Sequence, residues 1–559
     1  MKGPIKMKKA IAVFFAVLML LSSLAMLSAC GGEKVTVGEG PLGAYTPAIT
    51  VSYARPYWAS DEANLTKMGW SLTENGWFDI IKEQLGVKIR VEWSLNDYGL
   101  YVERLSNAIL EGSIPNIVDI SAGEGAYLSL QALHANDIVA PLDDVMEQYM
   151  SEAAKELYAL AGPEIFYPAT FDGKTYAICQ VAAGEGTAKT FYYIRQDWLD
   201  NLNLQTPSNY SELEAVIEAF AKNDPDGNGE DDTFGMTVNS IQSTELDAYF
   251  NGYGAYPNIW VEDDNGKLYY GAIGDEMRKP LDRLSHMIKS GWVDYAPSSG
   301  ANISGDFMTG KTGIVIGQTN SILTLTNLYK RNPDAKIAVV PAFTEDGETA
   351  AVVAGTNSYR YYVASKEFKY PEVLIKLNNF MLHMTDLASN DMDLYHQYFT
   401  IEDGSVHAYN YAPVVQEDYP SRNYNNAVLV EEALIANDRD MLDTQLQLML
   451  YDWVKEYEEN GRESYRGYAL LYGINGVQKL QGLFFENDLY VQNKFVSVPT
   501  ATMATHQVDL DTIEISGLGQ ILVGEQPLDY FDVFVTEWKN IGGDDVTREV
   551  NEWYQSING

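Results

Sequence analysis

Residues 87–120, VKIRVEWSLNDYGLYVERLSNAILEGSIPNIVDI, decide the fold class of this chain. The first third of the stretch alternates apolar and polar residues, which is the period of a half-buried β-strand, with apolar side chains at Val87, Ile89, Val91 and Trp93. The middle third, from about Leu100 to Leu110, has the period of a helix and stops at Gly112. A short apolar run at residues 117–120 then predicts a second strand.

The same order of elements precedes and follows this stretch. Upstream, alternation over residues 49–53 predicts a strand, and residues 77–85 predict a helix that ends at Gly86. A second segment opens with an apolar run at residues 191–194 and continues into a helix over residues 209–221. Strands that alternate with helices are typical of an α/β fold, whose ligands bind beyond the carboxyl ends of the strands.

Composition excludes several classes of protein. The chain has 559 residues, with 38 Lys and Arg against 78 Asp and Glu, and its net charge of −40 repels a phosphate backbone, so nucleic-acid binding is not expected. A hydrophobic fraction of 46% argues against disorder, and the length suggests two to four domains or two large lobes. Aromatic residues make up 12% of the chain, more than a core needs, so many are expected on surfaces or in clefts.

The N-terminal residues have the layout of a secretory signal. Four lysines precede an apolar run from Ala10 to Leu27, and Leu27-Ser28-Ala29-Cys30 resembles the bacterial lipobox, which predicts a signal peptide at 1–29 and a lipid on Cys30. An uncleaved membrane helix is the alternative. Cleavage would remove four lysines and no acid, giving a net charge of −44. The Gly- and Pro-rich residues 30–48 then form a flexible tether, and Cys179 is the remaining cysteine.

An acidic loop follows the helix at 209–221. Residues 224–232 place oxygen-bearing groups at the odd positions of an EF-hand-type calcium loop, and Gly229 allows the sharp turn. The predicted Ca²⁺ ligands are Asp224, Asp226, Asn228, the Glu230 carbonyl and Asp232. Position 12 is Gly235 instead of the usual Glu, so the site would close differently or bind weakly. A solvated acidic turn is the alternative.

No catalytic motif stands out. Residues 305–312, GDFMTGKT, match a nucleotide-binding pattern, but a predicted strand follows them where the pattern needs a helix. The six histidines are scattered and none forms a metal-binding or nucleophile motif. A glycosidase needs two carboxylates, which 78 acids supply by chance, so the sequence leaves hydrolysis open without favouring it.

Several stretches together resemble one family, the extracellular solute-binding lipoproteins of bacterial carbohydrate ABC importers. The chain is similar to the family 1 type that includes alginate-oligosaccharide binding proteins. The resemblance rests on the lipobox, GSIPNIVD at 112–119, YIRQDWL at 193–199 with the DPDGNG loop, YPE at 370–372, and the C-terminal stretches VPTATM at 498–503, FD at 531–532, GG at 542–543 and EVNEWY at 549–554.

The resemblance implies a two-lobed periplasmic-binding-protein-like fold, type II of the large cluster, in which each lobe is a mixed sheet flanked by helices with a hinge between the lobes. Crossovers near 178–188 and 341–352 would give discontinuous lobes. The N-terminal lobe would comprise 49–180 and 350–400, and the C-terminal lobe 185–345 and 401–559.

The resemblance also implies a function. The protein would capture a carbohydrate, an oligosaccharide in the first instance, by hinge closure and deliver it to ABC permease subunits, without catalysis and with a structural calcium ion. It would be a monomer, lipid-anchored on the extracytoplasmic face of the cell membrane. Two alternatives stay open, a surface enzyme that degrades polysaccharide and a binding protein for a peptide or other small solute.

Strand ends and loop positions predict the ligand-binding residues. Stacked aromatic rings cover the apolar faces of a sugar, and polar side chains satisfy its hydroxyls. The candidates are Arg55, Trp58, Glu124, Tyr127, Tyr253, Tyr256, Trp260, Gln318, Asn320, Asn357, Tyr359 and Arg360. Trp198 and Trp553 are assigned to packing.

Overall fold

The structure is a computed structural model. It describes residues 34–58, 60–95, 97–121, 124–182, 188–295, 303–355, 358, 360–400, 406–416 and 421–558. The predicted signal peptide and Cys30 lie outside these residues, as do Asn357 and Tyr359.

The N-terminal lobe is built on a five-stranded mixed sheet. In spatial order its strands are Val87–Leu95, Ile49–Pro56, Ile117–Ser121, Arg360–Ala364 and Ala177–Cys179. The first three are parallel, as their alternation with helices predicts, and Arg360–Ala364 is antiparallel to both of its neighbours, Ile117–Ser121 and Ala177–Cys179. Its helices are Asp61–Lys67, Gly76–Leu85, Tyr98–Glu111, Glu124–Ala135, Asp143–Tyr149, Glu152–Ala161, Glu372–Ser389 and Met392–Tyr398.

Local sequence signals set the ends of the first long helices. The side chain of Asn75 accepts a hydrogen bond from the main chain of Phe78 and caps one helix, and Asp97 caps the next in the same way. Gly86 and Gly112 end these helices with φ of 63° and 72°, in the left-handed region that favours glycine. The predicted strand and helix order over residues 49–121 is therefore confirmed.

The C-terminal lobe repeats this plan. Its five-stranded sheet has the order Val293–Tyr295, Phe234–Val238, Thr312–Gly317, Phe191–Arg195 and Ile337–Pro341. The first three strands are parallel, and Phe191–Arg195 is antiparallel to both of its neighbours. Its helices are Gln196–Leu202, Tyr210–Lys222, Asp247–Asn251, Arg278–Lys289, Ile303–Thr309, Ser321–Leu325, Arg422–Ala436, Gln445–Asn460, Arg466–Tyr472, Val477–Leu480, Gly482–Phe485, Met503–Leu522, Tyr530–Trp538 and Asp544–Asn558.

The remaining strands form four short two-stranded pairs, which are antiparallel or parallel. They are Thr36–Val37 with Tyr45–Thr46, Thr170–Phe171 with Lys174–Thr175, Trp260–Glu262 with Leu268–Tyr270, and Val352–Val353 with Tyr490–Val491. The strand Thr312–Gly317 follows the nucleotide-like pattern at 305–312, as the sequence predicted, and the helix Ile303–Thr309 covers the first part of the pattern. Lys311 within it pairs with Asp294 at 2.6 Å.

Two separate hydrophobic cores define the lobes. One contains buried residues from Tyr45 to Val181 and from Tyr361 to Val414, and the other contains residues from Phe191 to Val352 and from Ala427 to Val550. Residues 406–414 therefore pack in the N-terminal core, whereas the sequence analysis placed them in the C-terminal lobe. Their main chain is held there, since the Tyr53 hydroxyl donates to the carbonyl of Pro413 at 2.7 Å.

A buried glutamine joins two of the segments that lead from one lobe to the other. The side-chain oxygen of Gln416 accepts from the main chain of Val181 at 2.8 Å, and its amide donates to the carbonyl of Cys179 at 2.7 Å and to Asn378 at 2.6 Å. Cys179 itself is fully buried, and burial raises the pKa of its thiol. These hydrogen bonds hold the main chain in place at the point where it leaves the N-terminal lobe.

Candidate functional site: a cleft between the lobes and an acidic loop

A cleft of about 720 Å³ lies between the two lobes. The N-terminal lobe lines it with the helix Glu124–Ala135, the 3₁₀ helix Pro163–Ala169 and the start of the strand Arg360–Ala364. The C-terminal lobe lines it with the residues after the strand Thr312–Gly317, with segment 492–496 and with the C-terminal helix Asp544–Asn558. The cleft thus meets carboxyl ends of strands, the position expected for an α/β binding site.

Aromatic rings from both lobes line the cleft: Tyr127, Tyr167, Tyr361, Phe495, Trp553 and Tyr554. The ring of Trp553 packs edge-on against Phe495, with centroids 5.0 Å apart. It also packs against Tyr167 of the opposite lobe, with centroids 6.0 Å apart. Trp553 therefore contacts both walls and is only half-buried, which leaves ring surface available to a ligand.

One buried carboxyl lies among the polar groups of the cleft. Asp247 begins the short helix Asp247–Asn251 and is 6% exposed. Its Oδ1 accepts a hydrogen bond from the side-chain amide of Asn258 at 3.1 Å. Burial raises the pKa of Asp247 to about 7, although the bond from Asn258 and the charge of Lys189 act in the opposite direction. The carboxyl can therefore exchange a proton near neutral pH.

Two of the predicted ligand residues line this cleft. The ring of Tyr127 packs against Tyr361, with centroids 5.9 Å apart. Gln318 follows its strand directly, and its main-chain carbonyl accepts from the Tyr193 hydroxyl at 2.8 Å. Their contact with a ligand stays a prediction.

Two predicted arginines lie in a charged cluster inside the N-terminal lobe. Arg55 is 1% exposed and donates to the carbonyl of Ala412 at 3.1 Å, and Arg360 pairs with the fully buried Asp119 at 3.1 Å. Burial lowers the pKa of Arg360, but Asp119 and nearby tyrosines offset this, so the pKa lies above its ordinary value. The structure does not place either side chain in the cleft, because the order of strands brings both guanidinium groups to Asp119.

The other predicted residues have different surroundings. Trp58 is 46% exposed with the Arg360 guanidinium 5.9 Å from its ring, and Asn320 is exposed and accepts from Gln478 at 3.3 Å. Tyr253, Tyr256 and Trp260 are outside the cleft lining; Tyr253 packs on Tyr210, and Trp260 is buried against Tyr270. Glu124 begins a helix, and its side chain is outside the described part of the chain.

Sequence reasoning missed Trp553 and Asp247. From the sequence, Trp553 is assigned to packing. Val546 and Val550 of the same helix are buried in the core, but the ring of Trp553 lies farther along the helix, where the helix passes the cleft. No local signal distinguishes a ring that packs in a core from one that closes a cleft. Asp247 gave no signal either, because one acid among 78 carries no pattern.

In the acidic loop, the carboxyl oxygen atoms lie around Asn228. The side-chain amide of Asn228 donates to Asp226 at 3.0 Å and to Asp232 at 3.3 Å, and its main chain donates to Asp224 at 3.0 Å. Burial raises the pKa of Asp226, and the nearby carboxyl groups of Asp224 and Asp232 act in the same direction. Among the described residues, no set of three or more His, Cys, Asp and Glu side chains has the arrangement of a metal site.

The packing at the end of this loop explains why position 12 of the calcium-loop pattern carries no ligand side chain. Gly235 lies in the strand Phe234–Val238 against the neighbouring helix, and a Cβ there would be 2.5 Å from the carbonyl of Ile217. A glutamate does not fit at this position without moving the helix. Position 12 therefore supplies no side-chain ligand, and calcium binding stays a prediction.

Comparison with known proteins places these features in one family. Residues 77–371, more than half of the chain, match the family described as bacterial extracellular solute-binding protein. The polygalacturonan/rhamnogalacturonan-binding protein YtcQ of Bacillus subtilis is 22% identical over 463 residues, covering 81% of this chain and 83% of that protein. Lipoprotein LipO of B. subtilis is 20% identical over 485 residues, covering 85% and 88%.

Solved structures share the fold. The alginate-binding protein AlgQ2, solved without calcium ion, has a TM-score of 0.57 at 16% identity and covers 94% of this chain and 100% of its own. The S. pneumoniae ABC-transporter substrate-binding protein FusA, in complex with kestose, also has a TM-score of 0.57, at 15% identity, and covers 91% and 99%. The expected two-lobed α/β fold is thus confirmed.

Within the described part of the chain, no helix has the length and apolar character needed to cross a membrane. The chain belongs to the family of bacterial extracellular solute-binding proteins.

Proposed function

We propose that this protein captures an oligosaccharide in the cleft between its lobes and delivers it to the permease of an ABC importer. The observation that carries the proposal is the lining of the cleft, where aromatic rings of both lobes lie beside hydrogen-bonding side chains. Rings cover the apolar faces of pyranose or furanose units, and polar groups satisfy hydroxyls once water leaves. The relative YtcQ, a polygalacturonan/rhamnogalacturonan-binding protein, and FusA, solved in complex with kestose, support the same class of ligand.

The proposal includes the location of the protein. The lipobox at residues 27–30 supports attachment through a lipid on Cys30, and one relative is named a lipoprotein. A body with a net charge of −44 after cleavage is repelled by anionic headgroups, so the lipid has to provide the anchor on the extracytoplasmic face. The protein acts there as a monomer without catalysis.

The proposal is tested by isothermal titration calorimetry of residues 31–559 with a panel of oligosaccharides and size-matched peptides. We expect saturable binding of at least one oligosaccharide, with one ligand per chain and no product in the mixture by mass spectrometry. Binding of peptides alone would overturn the choice of ligand class. Release of shorter sugars would favour the alternative, a surface enzyme that degrades polysaccharide, for which Glu164 and Asp247 of the cleft are the available carboxyl groups.

We also propose that residues 224–232 bind a structural calcium ion. The proposal rests on the three carboxyl groups that surround Asn228, which repel one another until a cation or proton neutralises them. A solved structure of FusA is described as an EF-hand mutant, which supports a loop of this kind in the fold.

Calcium is expected to raise the melting temperature by about 2–5 °C over a sample with chelator, because a ligand that binds only the folded state stabilises it. Asp224→Ala should abolish the shift, whereas Asp231→Ala, an exposed acid of the same loop outside the ligand set, should keep it. Differential scanning calorimetry measures both. Equal shifts in the two variants would show that calcium acts elsewhere.

A further inference from the structure

The charged side chains of the cleft balance one another, although the chain as a whole is strongly acidic. Among the described residues, the lining contains two acids, Glu164 and Asp247, two lysines, Lys189 and Lys494, and no arginine. The rest of the chain contributes the net charge of −40. The cleft is therefore close to neutral inside an electrostatic field that repels anions.

This lining is poorly suited to a sugar that carries carboxylate or sulfate groups. Proteins that hold such groups in a desolvated site favour arginine, whose planar guanidinium binds both oxygens at once. Arg55 and Arg360, the two arginines among the predicted ligand residues, are held in the cluster with Asp119 inside the N-terminal lobe. An anion beside the buried Asp247 would meet repulsion, and the cations of the described lining are lysines, which lack the two-point geometry of a guanidinium.

The side chain of Asp247 has hydrogen-bonding capacity left over for a ligand. Its Oδ1 accepts from Asn258, and among the described residues no hydrogen bond reaches its Oδ2. Because no described residue donates to this oxygen, it can accept a hydrogen bond from a hydroxyl donor of a ligand. Vicinal hydroxyls of a sugar supply two such donors, whereas a uronate places a further negative charge in the same space.

We propose that Asp247 is a specificity-determining residue that selects uncharged oligosaccharides over uronate-containing ones. The inference rests on the proposed function, because it names the chemical class of ligand for the same cleft. It separates this chain from its relative YtcQ, a polygalacturonan/rhamnogalacturonan-binding protein, because polygalacturonan is a polymer of uronate.

The proposed role of Asp247 predicts that the affinity for a neutral sugar changes with pH in one direction. Burial raises the pKa of Asp247 to about 7, so the group is largely protonated at pH 6 and largely ionised at pH 8. The charged groups around it are Lys189 on the segment between the lobes, Glu245 on the preceding turn, and Glu164 and Lys494 elsewhere on the cleft wall. The ionised form accepts stronger hydrogen bonds, so the affinity for a neutral sugar should rise between pH 6 and pH 8.

The selectivity is tested by calorimetry on residues 31–559 with neutral and uronate oligosaccharides of equal length. The neutral ligands are gluco-, galacto- and fructo-oligosaccharides, and the uronate ligands are oligogalacturonate and oligoalginate. We expect the wild type to bind a neutral sugar at least tenfold more tightly than any uronate. Asp247→Asn keeps the shape and the bond to Asn258, and should weaken neutral-sugar binding about tenfold and remove its pH dependence. Asp264→Asn, an exposed acid of a hairpin turn, is the matched control and should change neither.

The outcomes separate the two proposals. Tighter binding of uronates by the wild type would overturn the selectivity but leave oligosaccharide capture intact, and this comparison does not depend on how the variant folds. Unchanged affinity and pH dependence in Asp247→Asn would overturn the role of this residue. Absence of binding by every sugar of the panel would overturn the proposed function, and the inference with it.

Discussion

Asp119→Asn is expected to lower the free energy of unfolding by about 3–5 kcal/mol, the largest effect on stability that the structure predicts. Asp119 is fully buried, and its carboxylate pairs with Arg360, whose side chain is 11% exposed, and acts on Arg55, which is 1% exposed. The asparagine has the same shape but no charge, so both guanidinium groups would lose the attraction of this buried carboxylate. Urea denaturation followed by circular dichroism measures the change.

The exposed pair of Arg439 and Asp452 provides the control. It has good geometry, with two hydrogen bonds of 2.7 Å, but both side chains are more than 40% exposed. Solvent screens such a pair, so Asp452→Asn should cost less than about 1 kcal/mol. Similar losses in the two variants would mean that the buried cluster contributes no more than a surface salt bridge.

Trp553→Ala is expected to weaken oligosaccharide binding between tenfold and a hundredfold, about 1.4–3 kcal/mol. Trp553 lies where the C-terminal helix reaches the cleft, and its ring contacts Tyr167 of the other lobe and Phe495 of its own. Removal of the ring takes away a stacking surface and a contact between the two walls. The dissociation constant is measured by calorimetry with the sugar that binds the wild type most tightly.

Trp292→Ala is the matched control, because this half-buried tryptophan packs on His286 in the C-terminal lobe and does not line the cleft. It should leave the dissociation constant unchanged. Melting temperatures of both variants show that each is folded at the temperature of the titration. Wild-type affinity in Trp553→Ala would mean that the ring only packs against its neighbours.

The secondary structure of the N-terminal lobe follows from local signals. The alternation of Val87, Ile89 and Val91 predicts a strand, and Asn75 and Gly86 mark the two ends of a helix, because strand period and helix caps depend on residues a few positions apart. Tyr127 and Gln318 were found for a similar reason, since each follows a strand at its carboxyl end. Residues 406–414 were misplaced because apolar residues without a period fit either core equally well.

By itself, the sequence determined the α/β class, the elements of the first sheet, the acidic loop and the family, since each depends on short-range pattern or on similarity along the chain. Only the tertiary structure decided which charged and aromatic side chains meet. Strand order brings Arg55, Asp119 and Arg360 together inside one lobe, although they are up to 305 positions apart. Packing of the C-terminal helix brings Trp553 to Tyr167 across the cleft. Such contacts depend on which surfaces the cores bury against each other, and no local period encodes that choice.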